Sequence, residues 1–515
     1  MGINVAQFVR QWSLRDGART ALVLPARDAS QPAQVMSYAE LDQRASQVAA
    51  SLRQAGFEVG ARLALCLPNG AAFLDAFLGG LYAGCTLIPV PPMSAPPELA
   101  HRLQHGRCSG LITDARTRAL GEQALQLAPG ARSLDSAELL QGRADEQAGP
   151  VDLPAGANAM LLYTSGTTGV AKGAMITHAS LATHTAALVH HVLRFDQRDC
   201  VLAVLPLTHS YGIRMTLLAP FYAGARSLLV ERFESSLVNQ LLGSEPITWF
   251  PGVPTMFHAL VHHAADARAA QAPALRWCLS AGAPLAPEIR RRFETSYGVP
   301  LRQGFGLTEA TFSSVADPAD TAGADSVGKP VFGVEVRIGD EQGAPLPHGT
   351  RGEIMVRGQN VMAGYFDDPQ ASEAALSGGW LRTGDVGVLD AEGRLSVVDR
   401  IKDMIVRGGF NVYPAEVEAV LLSHPDVRQV VVVGIADEHY GEEVVAAVVP
   451  QPGGSMSASA LASFCRLHLS TTKLPRLWTQ LDAIPEGPSG KLLRRAVKQM
   501  VQSGALTLER PQMGR

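Results

Sequence analysis

The stretch Tyr163-Thr164-Ser165-Gly166-Thr167-Thr168-Gly169-Val170-Ala171-Lys172-Gly173 carries the strongest signal in the chain, and we call it the 163–173 loop. The apolar residues 159–162 before it are short enough for a buried strand, and a second strand or a helix resumes at residues 174–178. Three glycines let the backbone approach a ligand closely, four hydroxyl side chains donate to oxygen, and Lys172 adds a mobile positive charge. These groups predict a phosphate-binding loop.

The residue order in this loop differs from that of the P-loop of NTPases. A P-loop has Ser or Thr directly after its lysine, whereas Gly173 follows Lys172 here. The alternative interpretation of the loop, taken by itself, is a flexible, solvent-exposed turn rich in Gly, Ser and Thr.

Four further motifs extend the pattern along the chain, at residues 304–309 (GFGLTE), 383–385 (TGD), 399–402 (DRIK) and 488–491 (PSGK). Together with the 163–173 loop they resemble, in the same order, the motifs of the adenylate-forming superfamily, which includes acyl-CoA synthetases, adenylation domains of peptide synthetases and luciferases. The chain is therefore identified as a member of that superfamily, most similar to its fatty-acyl and aryl CoA ligases.

Length and composition set bounds on the fold and the partners. A chain of 515 residues predicts at least two domains, and a formal net charge of -4 gives no electrostatic reason to expect a nucleic-acid partner. The first six residues lack the pattern of a signal peptide, and no apolar run approaches the roughly 18 residues of a membrane helix. We therefore expect a soluble, cytoplasmic protein. The six cysteines have no metal-site spacing, which predicts buried thiols with neither disulfide nor zinc.

Alternating helical and β-rich patterns predict an α/β fold. Strands at residues 62–67 and 86–90, separated by a helix at 71–83, indicate a parallel crossover, and the same alternation continues to residue 330, which favours doubly wound sheets. Residues 331–398 carry short alternating strands with turn residues between them and predict a small β-subdomain. Residues beyond 400 predict a small α+β domain. The expected division is an N-terminal ATP- and acyl-binding domain, residues 1–400, and a mobile C-terminal domain, residues 401–515.

The resemblance implies that the protein activates a carboxylic acid with ATP, releases pyrophosphate to leave an acyl-AMP, and then transfers the acyl group to CoA with release of AMP. Attack of one anion on another makes positioning and charge neutralisation the main catalytic tasks. The implied small molecules are ATP, Mg²⁺, CoA and the acid. Alternatives are a ligase that loads the phosphopantetheine of a separate carrier protein and a silent nucleotide-binding regulator. The class of acid and a homodimeric state stay open.

The resemblance also assigns roles within the nucleotide site. The β- and γ-phosphates fall to Thr164, Ser165, Gly166, Thr167, Thr168, Gly169 and Lys172. In the second motif Thr308 would contact the α-phosphate and the acyl carboxylate, and Glu309 would bind Mg²⁺, which prefers hard oxygen ligands. The flanking Gly304, Phe305 and Gly306 belong to the same site, and Phe305 replaces the usual Tyr, so its ring face remains for adenine without the hydroxyl. The alternative is a glycine-rich turn that opens a helix with a solvated Glu.

Four further positions are implied around the nucleotide. The backbone of Gly282 and Ala283 would lie against adenine and the acyl chain, although a segment of this kind alone is merely a turn. Asp385, expected at a strand start, would accept hydrogen bonds from both ribose hydroxyls. Arg400 would add a cation near the same ribose or phosphate, with a surface ion pair as the alternative.

The resemblance assigns roles to two lysines of the C-terminal domain. Lys402 occupies the position of the family's hinge residue, and hinges absorb large backbone rotations over a few positions. Lys491 would reach into the active site as the catalytic lysine of adenylation, with a solvated lysine in a cationic run as the alternative.

The implied CoA tunnel is formed by Gly408, Gly409 and Phe410, and a β-bulge is an equal alternative for the two glycines. The implied acyl pocket is formed by His209, Tyr211, Gly252, Val253 and Gly282, with a steric role for His209. Arg214 interrupts the apolar run 213–218. It either binds a distal carboxylate of the substrate or forms an ion pair with an acidic side chain such as Glu231, and the ion pair is the favoured alternative.

Overall fold

The computed structural model describes residues 2–26, 32–142, 149–164, 171–266, 272–319, 326–452, 457–487 and 492–511, with backbone only for 262–266. Its α-helices over these residues are Gln7–Asp16, Tyr38–Gln54, Ala71–Tyr82, Pro96–His105, Arg118–Leu127, Ser136–Leu139, His178–Leu188, Ser210–Gly212, Ala219–Ala223, Ser235–Ser244, Pro254–Asp266, Pro287–Tyr297, Pro369–Ala375, Pro414–Leu422, Ala458–Arg466 and Arg494–Gln502. Val189–Leu193 and Ile213–Leu218 are π-helices, and Ile401–Asp403 and Thr471–Lys473 are 3₁₀-helices.

The first sheet has six strands within the described residues, and the 163–173 loop lies at its edge. Its spatial order is Arg132–Asp135, Gly110–Thr113, Arg62–Cys66, Thr86–Pro89, Asn158–Thr164 and Lys172–Thr177. The first five strands are parallel and the last is antiparallel. Helix Ala71–Tyr82 joins two of the parallel strands, which confirms the predicted crossover. The central strands are buried along their length because helices cover both faces of a parallel sheet.

The second sheet has nine strands in the described part of the chain. Its spatial order is Lys329–Pro330, Ala310–Val315, Leu301–Leu307, Trp277–Ser280, Trp249–Gly252, Cys200–Ala203, Arg226–Leu229, Thr20–Leu24 and Gln34–Ser37. The six strands from Leu301–Leu307 to Thr20–Leu24 are parallel, and antiparallel strands flank them. Both sheets, with their helices, confirm the predicted α/β class.

A third, antiparallel sheet follows and confirms the predicted β-subdomain. Its strands are Val334–Gly339, Gly352–Gly358, Trp380–Leu389, Leu376–Ser377 and Leu395–Arg400. Asp385 was expected at a strand start, and that expectation is wrong, because it lies in the middle of Trp380–Leu389. The strand continues through Gly384 at a φ of +70° and pairs with a neighbour on each side, with a register shift opposite Glu353 and Met355.

The small C-terminal sheet contains Phe410–Val412, Ile405–Arg407, Gly441–Pro450, Val427–Asp437 and Leu477–Gln480. Alternate valines of its longest strand enter different cores: Val430 and Val432 face helix Pro414–Leu422, whereas Val431 and Val433 face helix Arg494–Gln502. This part of the chain is the predicted small α+β unit. All six cysteines are buried, and no helix of the described residues is both long and apolar enough to cross a membrane.

Candidate active site

Several of the predicted site residues lie at one edge of the nine-stranded sheet. Strands Cys200–Ala203, Trp249–Gly252, Trp277–Ser280 and Leu301–Leu307 run parallel, and each leads into a predicted position at its carboxyl end. Those positions are His209, Val253, Gly282 and Thr308. Because ligands of open parallel sheets bind in the crevice outside the carboxyl ends of the strands, this edge is the candidate active site.

Strands Leu301–Leu307 and Ala310–Val315 form a hairpin, which we call the Thr308 hairpin, with Thr308 and Glu309 at its tip. Both tip residues are half-buried. A Cβ on Gly306 would lie 2.3 Å from the backbone nitrogen of Phe312, so only glycine allows this close approach of the two strands. The alternative of a turn that opens a helix is wrong, because an antiparallel strand follows the turn.

The 163–173 loop is held at its base by a ladder in which Thr164 faces Lys172. A strand, Lys172–Thr177, resumes after it. The predicted phosphate contacts Ser165, Gly166, Thr167, Thr168 and Gly169 lie outside the described residues. Lys172 is half-buried, with its Nζ 3.6 Å from a carboxylate oxygen of Asp368. The loop therefore begins and ends at fixed strand positions.

Tyr365 connects this loop to the Thr308 hairpin, and the sequence reasoning missed it. Its hydroxyl donates to Oε1 of Glu309 at 2.9 Å, and Nζ of Lys172 lies 5.3 Å from its ring centroid. Its backbone forms a bridge with Ala174, just after the loop. Burial, and then the neighbouring carboxylate of Glu309, raise the pKa of Tyr365, so the hydroxyl stays protonated as a donor. The one available sequence signal was an aromatic hydroxyl within a polar segment, Gly364-Tyr365-Phe366-Asp367-Asp368.

The residues at the hairpin tip fit a magnesium ion that arrives with ATP. Glu309 offers one half-buried carboxylate, and the described residues contain no group of three or more potential His, Cys, Asp or Glu ligands. Mg²⁺ is usually bound through one or two carboxylates together with substrate phosphates and water, so a single protein carboxylate suffices.

Asp385 and Arg400, predicted to share the ribose region, face each other across two antiparallel strands. Nε of Arg400 lies 3.0 Å from Oδ1 of Asp385. Asp385 is buried, its backbone N–H donates to Oγ1 of Thr383, and the Arg400 side chain is 41% exposed. The two residues predicted to serve the ribose thus lie in contact, and the ion-pair alternative for Arg400 describes this same contact.

The predicted acyl-pocket residues come together at the carboxyl ends of the strands. The Tyr211 hydroxyl lies 2.9 Å from the carbonyl oxygen of Leu279 and 3.2 Å from that of Gly252. Gly282 has a φ of +87°, and a Cβ there would meet Val253 at 3.8 Å. His209 is exposed, and its Nδ1 accepts from the backbone N–H of Tyr211 at the start of a short helix. Ala283 is half-buried next to Gly282.

The favoured pairing of Arg214 with Glu231 is wrong. Glu231 lies beyond the end of strand Arg226–Leu229, and its carboxylate pairs with Arg116 at 2.9 Å. Arg214 is buried instead, and its Nη1 contacts the carbonyl oxygen of Leu181 at 3.3 Å and Oγ1 of Thr185 at 3.4 Å. The two side chains separate because the π-helix Ile213–Leu218 turns Arg214 toward helix His178–Leu188.

The C-terminal positions are described in part. Gly408 and Gly409 form a two-residue turn with φ of +58° and +80° between strands Ile405–Arg407 and Phe410–Val412. The β-bulge alternative is wrong, because the ladder on both sides of the turn keeps its register. Phe410 is 60% exposed, and Lys402 is exposed in a 3₁₀-helix. Lys491 lies outside the described residues.

Two family models match the chain. The model of the AMP-binding enzymes matches residues 9–366, and the model of the AMP-binding enzyme C-terminal domain matches residues 416–491.

Individual relatives and solved structures agree with the two family models. The chain is 37% identical to a feruloyl-CoA synthase of an Amycolatopsis species (90% of this chain and 93% of the relative) and 33% identical to an oxalate–CoA ligase of Arabidopsis thaliana (86% and 89%). It also resembles the solved structure of o-succinylbenzoate CoA synthetase from Bacillus subtilis in complex with its acyl-adenylate intermediate, with a TM-score of 0.86, 29% identity and coverage of 98% and 99%. The chain belongs to the AMP-binding enzyme family, in its branch of AMP-forming acyl-CoA ligases.

Proposed function

We propose that this ligase makes the acyl-AMP at the edge formed by the Thr308 hairpin and the 163–173 loop, and that the C-terminal domain then admits CoA. The observation that carries the proposal is the link made by Tyr365, which brings the cation of Lys172 and the carboxylate of Glu309 to one aromatic ring. A cation for phosphate and a carboxylate for a divalent ion in one place are what phosphoryl chemistry needs.

In the first step a carboxylate oxygen of the acid bonds to the α-phosphorus, and the bond from that phosphorus to the pyrophosphate oxygen breaks. Lys172 neutralises charge on the β- and γ-phosphates, and the Thr308 hydroxyl orients the α-phosphate and the acid. Glu309 would hold Mg²⁺, which supplies further charge neutralisation on the phosphates when bound. Asp385 accepts from the ribose hydroxyls, and Arg400 beside it fixes that carboxylate in place.

In the second step the CoA thiol loses its proton to water, its sulfur bonds to the acyl carbon, and AMP leaves with the electron pair of the acyl–oxygen bond. Residues 1–400 form the domain that holds the acyl-AMP, and residues 401–515 form the domain that moves. Gly408 and Gly409 would line the path of the pantetheine arm, because their exposed turn presents backbone without side chains, and the exposed ring of Phe410 would border the same path.

Lys402 is a suitable hinge because of where the cores end. The core of the large N-terminal part ends at Leu395, the C-terminal core begins at Ile405, and Lys402 is exposed between them. A rotation at residues 401–403 would therefore leave both cores intact. The six buried thiols suit a reducing compartment, and we place the enzyme in the cytoplasm on that ground.

The deciding experiment measures the products and then the two half-reactions. The purified enzyme with ATP, CoA and a panel of carboxylic acids should release pyrophosphate and AMP. Release of ADP and inorganic phosphate with every acid would refute the proposal. Lys491→Ala should slow acyl-AMP formation by on the order of 100-fold, the scale of removing one transition-state donor. Thioester formation from supplied acyl-AMP should be largely retained, and equal loss of both steps would refute the assigned division between the lysine and the CoA path.

A further inference from the structure

Arg214 is a buried cation without an anionic partner among the described residues. It is 2% exposed, its Nη1 makes two hydrogen bonds that are both 3.3 Å or longer, and its Nε makes none in the part of the chain that the structure describes. Burial lowers the pKa of Arg214 to about 9, so the guanidinium remains protonated at neutral pH. A buried charge is costly unless a counter-charge and hydrogen bonds compensate it, so this arrangement favours an anion that comes from outside the chain.

His184 lies beside this cation and ties it to the Thr308 hairpin. The imidazole is fully buried, and burial, followed by the charge of Arg214, lowers the pKa of His184. Nε2 of His184 lies 3.1 Å from the carbonyl oxygen of Phe312, and within the described residues its Nδ1 has no hydrogen-bond partner. His184 is therefore neutral beside the guanidinium and supplies no counter-charge to it.

The pair lies at the acyl end of the active site. Arg214 follows Tyr211 by three residues, where the short helix Ser210–Gly212 continues into the π-helix Ile213–Leu218. The ring of Tyr211 packs edge-on against Phe312 with centroids 5.1 Å apart, and Phe312 is the residue whose carbonyl meets His184. Phe312 lies on the returning strand opposite Gly306, which is two residues from Thr308, or roughly 7 Å at the rise of a β-strand. The contacts that lead from Thr308 to the cation run through Phe312 and His184, so the cation is set back from the reacting carboxylate.

We propose that Arg214 binds a second anionic group at the far end of the acid, so that the preferred substrates are dicarboxylic acids. The fork of a guanidinium matches a carboxylate with two parallel hydrogen bonds, which suits Nε and the second terminal nitrogen of this side chain. The inference deepens the proposed function and rests on it.

The test compares acids in matched pairs: hexanedioate with hexanoate, octanedioate with octanoate, decanedioate with decanoate, and 4-carboxycinnamate with cinnamate. AMP release gives kcat/KM for each acid. The wild-type enzyme should prefer the doubly charged member of at least one pair by tenfold or more. Arg214→Met should lower kcat/KM for that acid by about 10- to 100-fold, the range expected for hydrogen bonds to a charged group, and change its singly charged partner by only a few fold.

Two further variants sharpen the test. Arg276→Met removes an arginine that pairs with Asp199 at the amino ends of the strands, away from the site, and should leave the preference unchanged. Arg214→Lys keeps the charge without the fork and should retain part of the preference.

A wild-type preference for the singly charged acid in every pair would overturn the proposal. It would also be overturned if Arg214→Met lowered kcat/KM equally for the doubly and the singly charged acid of a pair. The wild-type ratios decide the question even if that variant does not fold. If no acid supports AMP release at all, the proposed function itself has failed.

Discussion

Replacing Tyr365 by Phe removes one hydroxyl from the centre of the candidate active site. The hydrogen bond to Glu309 is lost, whereas the aromatic ring near Lys172 is kept. Hydrogen bonds to charged groups contribute about 1.5–3 kcal/mol, and every 1.4 kcal/mol is about a factor of ten in an equilibrium constant. Because the bond is half-buried, we expect about a tenfold loss in the affinity for Mg²⁺, which depends on the position of the Glu309 carboxylate.

The assay is pyrophosphate exchange into ATP, titrated with Mg²⁺ in the presence of a fixed acid. Tyr365→Phe should raise the Mg²⁺ concentration for half-maximal exchange about tenfold, with little change in the KM of the acid. Tyr365→Leu should lose more, because the contact between the cation and the ring is worth a further 0.5–1 kcal/mol or so. Tyr222→Phe is the matched control, since its hydroxyl bonds the exposed His190 at 2.9 Å.

A double-mutant cycle with Glu309→Gln tests the mechanism of this effect. If Tyr365 acts through the Glu309 carboxylate, its hydroxyl should matter little once that carboxylate has become an amide. An unchanged Mg²⁺ dependence in Tyr365→Phe would refute the positioning role. Full additivity of the two substitutions would show that the hydroxyl acts on something other than Glu309.

Two stability predictions concern other residues. Gly306→Ala places a Cβ 2.3 Å from a backbone nitrogen and should lower the free energy of unfolding, measured in urea, by about 1–3 kcal/mol. Gly156→Ala is the control, because its Cβ meets nothing within 4 Å, and it should be near neutral. Equal unfolding free energies for the two variants would contradict the close approach of the strands at Gly306. Burial lowers the pKa of His178 from 6.5 to about 4, so the unfolded chain takes up this proton at higher pH than the folded chain. Stability should therefore fall by about 3 kcal/mol as the pH drops from 6.5 to 4, and His178→Asn should show a smaller fall in urea titrations. An equal fall in both proteins would remove His178 as the cause.

Local patterns predicted local structure well. Residues Ser37-Tyr38-Ala39-Glu40 have the spacing that predicts a capping box, and the box forms, with the Ser37 hydroxyl accepting from Glu40 N–H and the Glu40 carboxylate accepting from Ser37 N–H. The pattern of residues 414–422 likewise predicts a helix, and helix Pro414–Leu422 has those bounds. Both succeed because caps and helical periodicity depend on residues within one or two turns.

Contacts between distant segments were beyond the same reasoning. The approach of Tyr365 to Glu309 joins residues 56 positions apart, and it depends on a bridge to Ala174, which no local pattern encodes. Asp385 was misplaced for a related reason: Thr-Gly-Asp is common in hairpins, but pairing on both sides carries the strand through Gly384. The ordered motifs thus predicted the chemistry of the site, and tertiary pairing determined its geometry.

The cations of the chain differ in how firmly they are paired, and this difference follows their roles. Arg407 is buried with Glu443 at 2.8 Å and also meets backbone carbonyls, an arrangement that only local unfolding would break. Lys172 instead pairs with Asp368 through two partly exposed side chains, and pairs of this kind contribute only about 0–1 kcal/mol. An incoming phosphate can therefore replace a carboxylate partner at little cost. Arg214 lacks a carboxylate partner within the described residues and is buried, so an anionic acid would meet its charge without first displacing one.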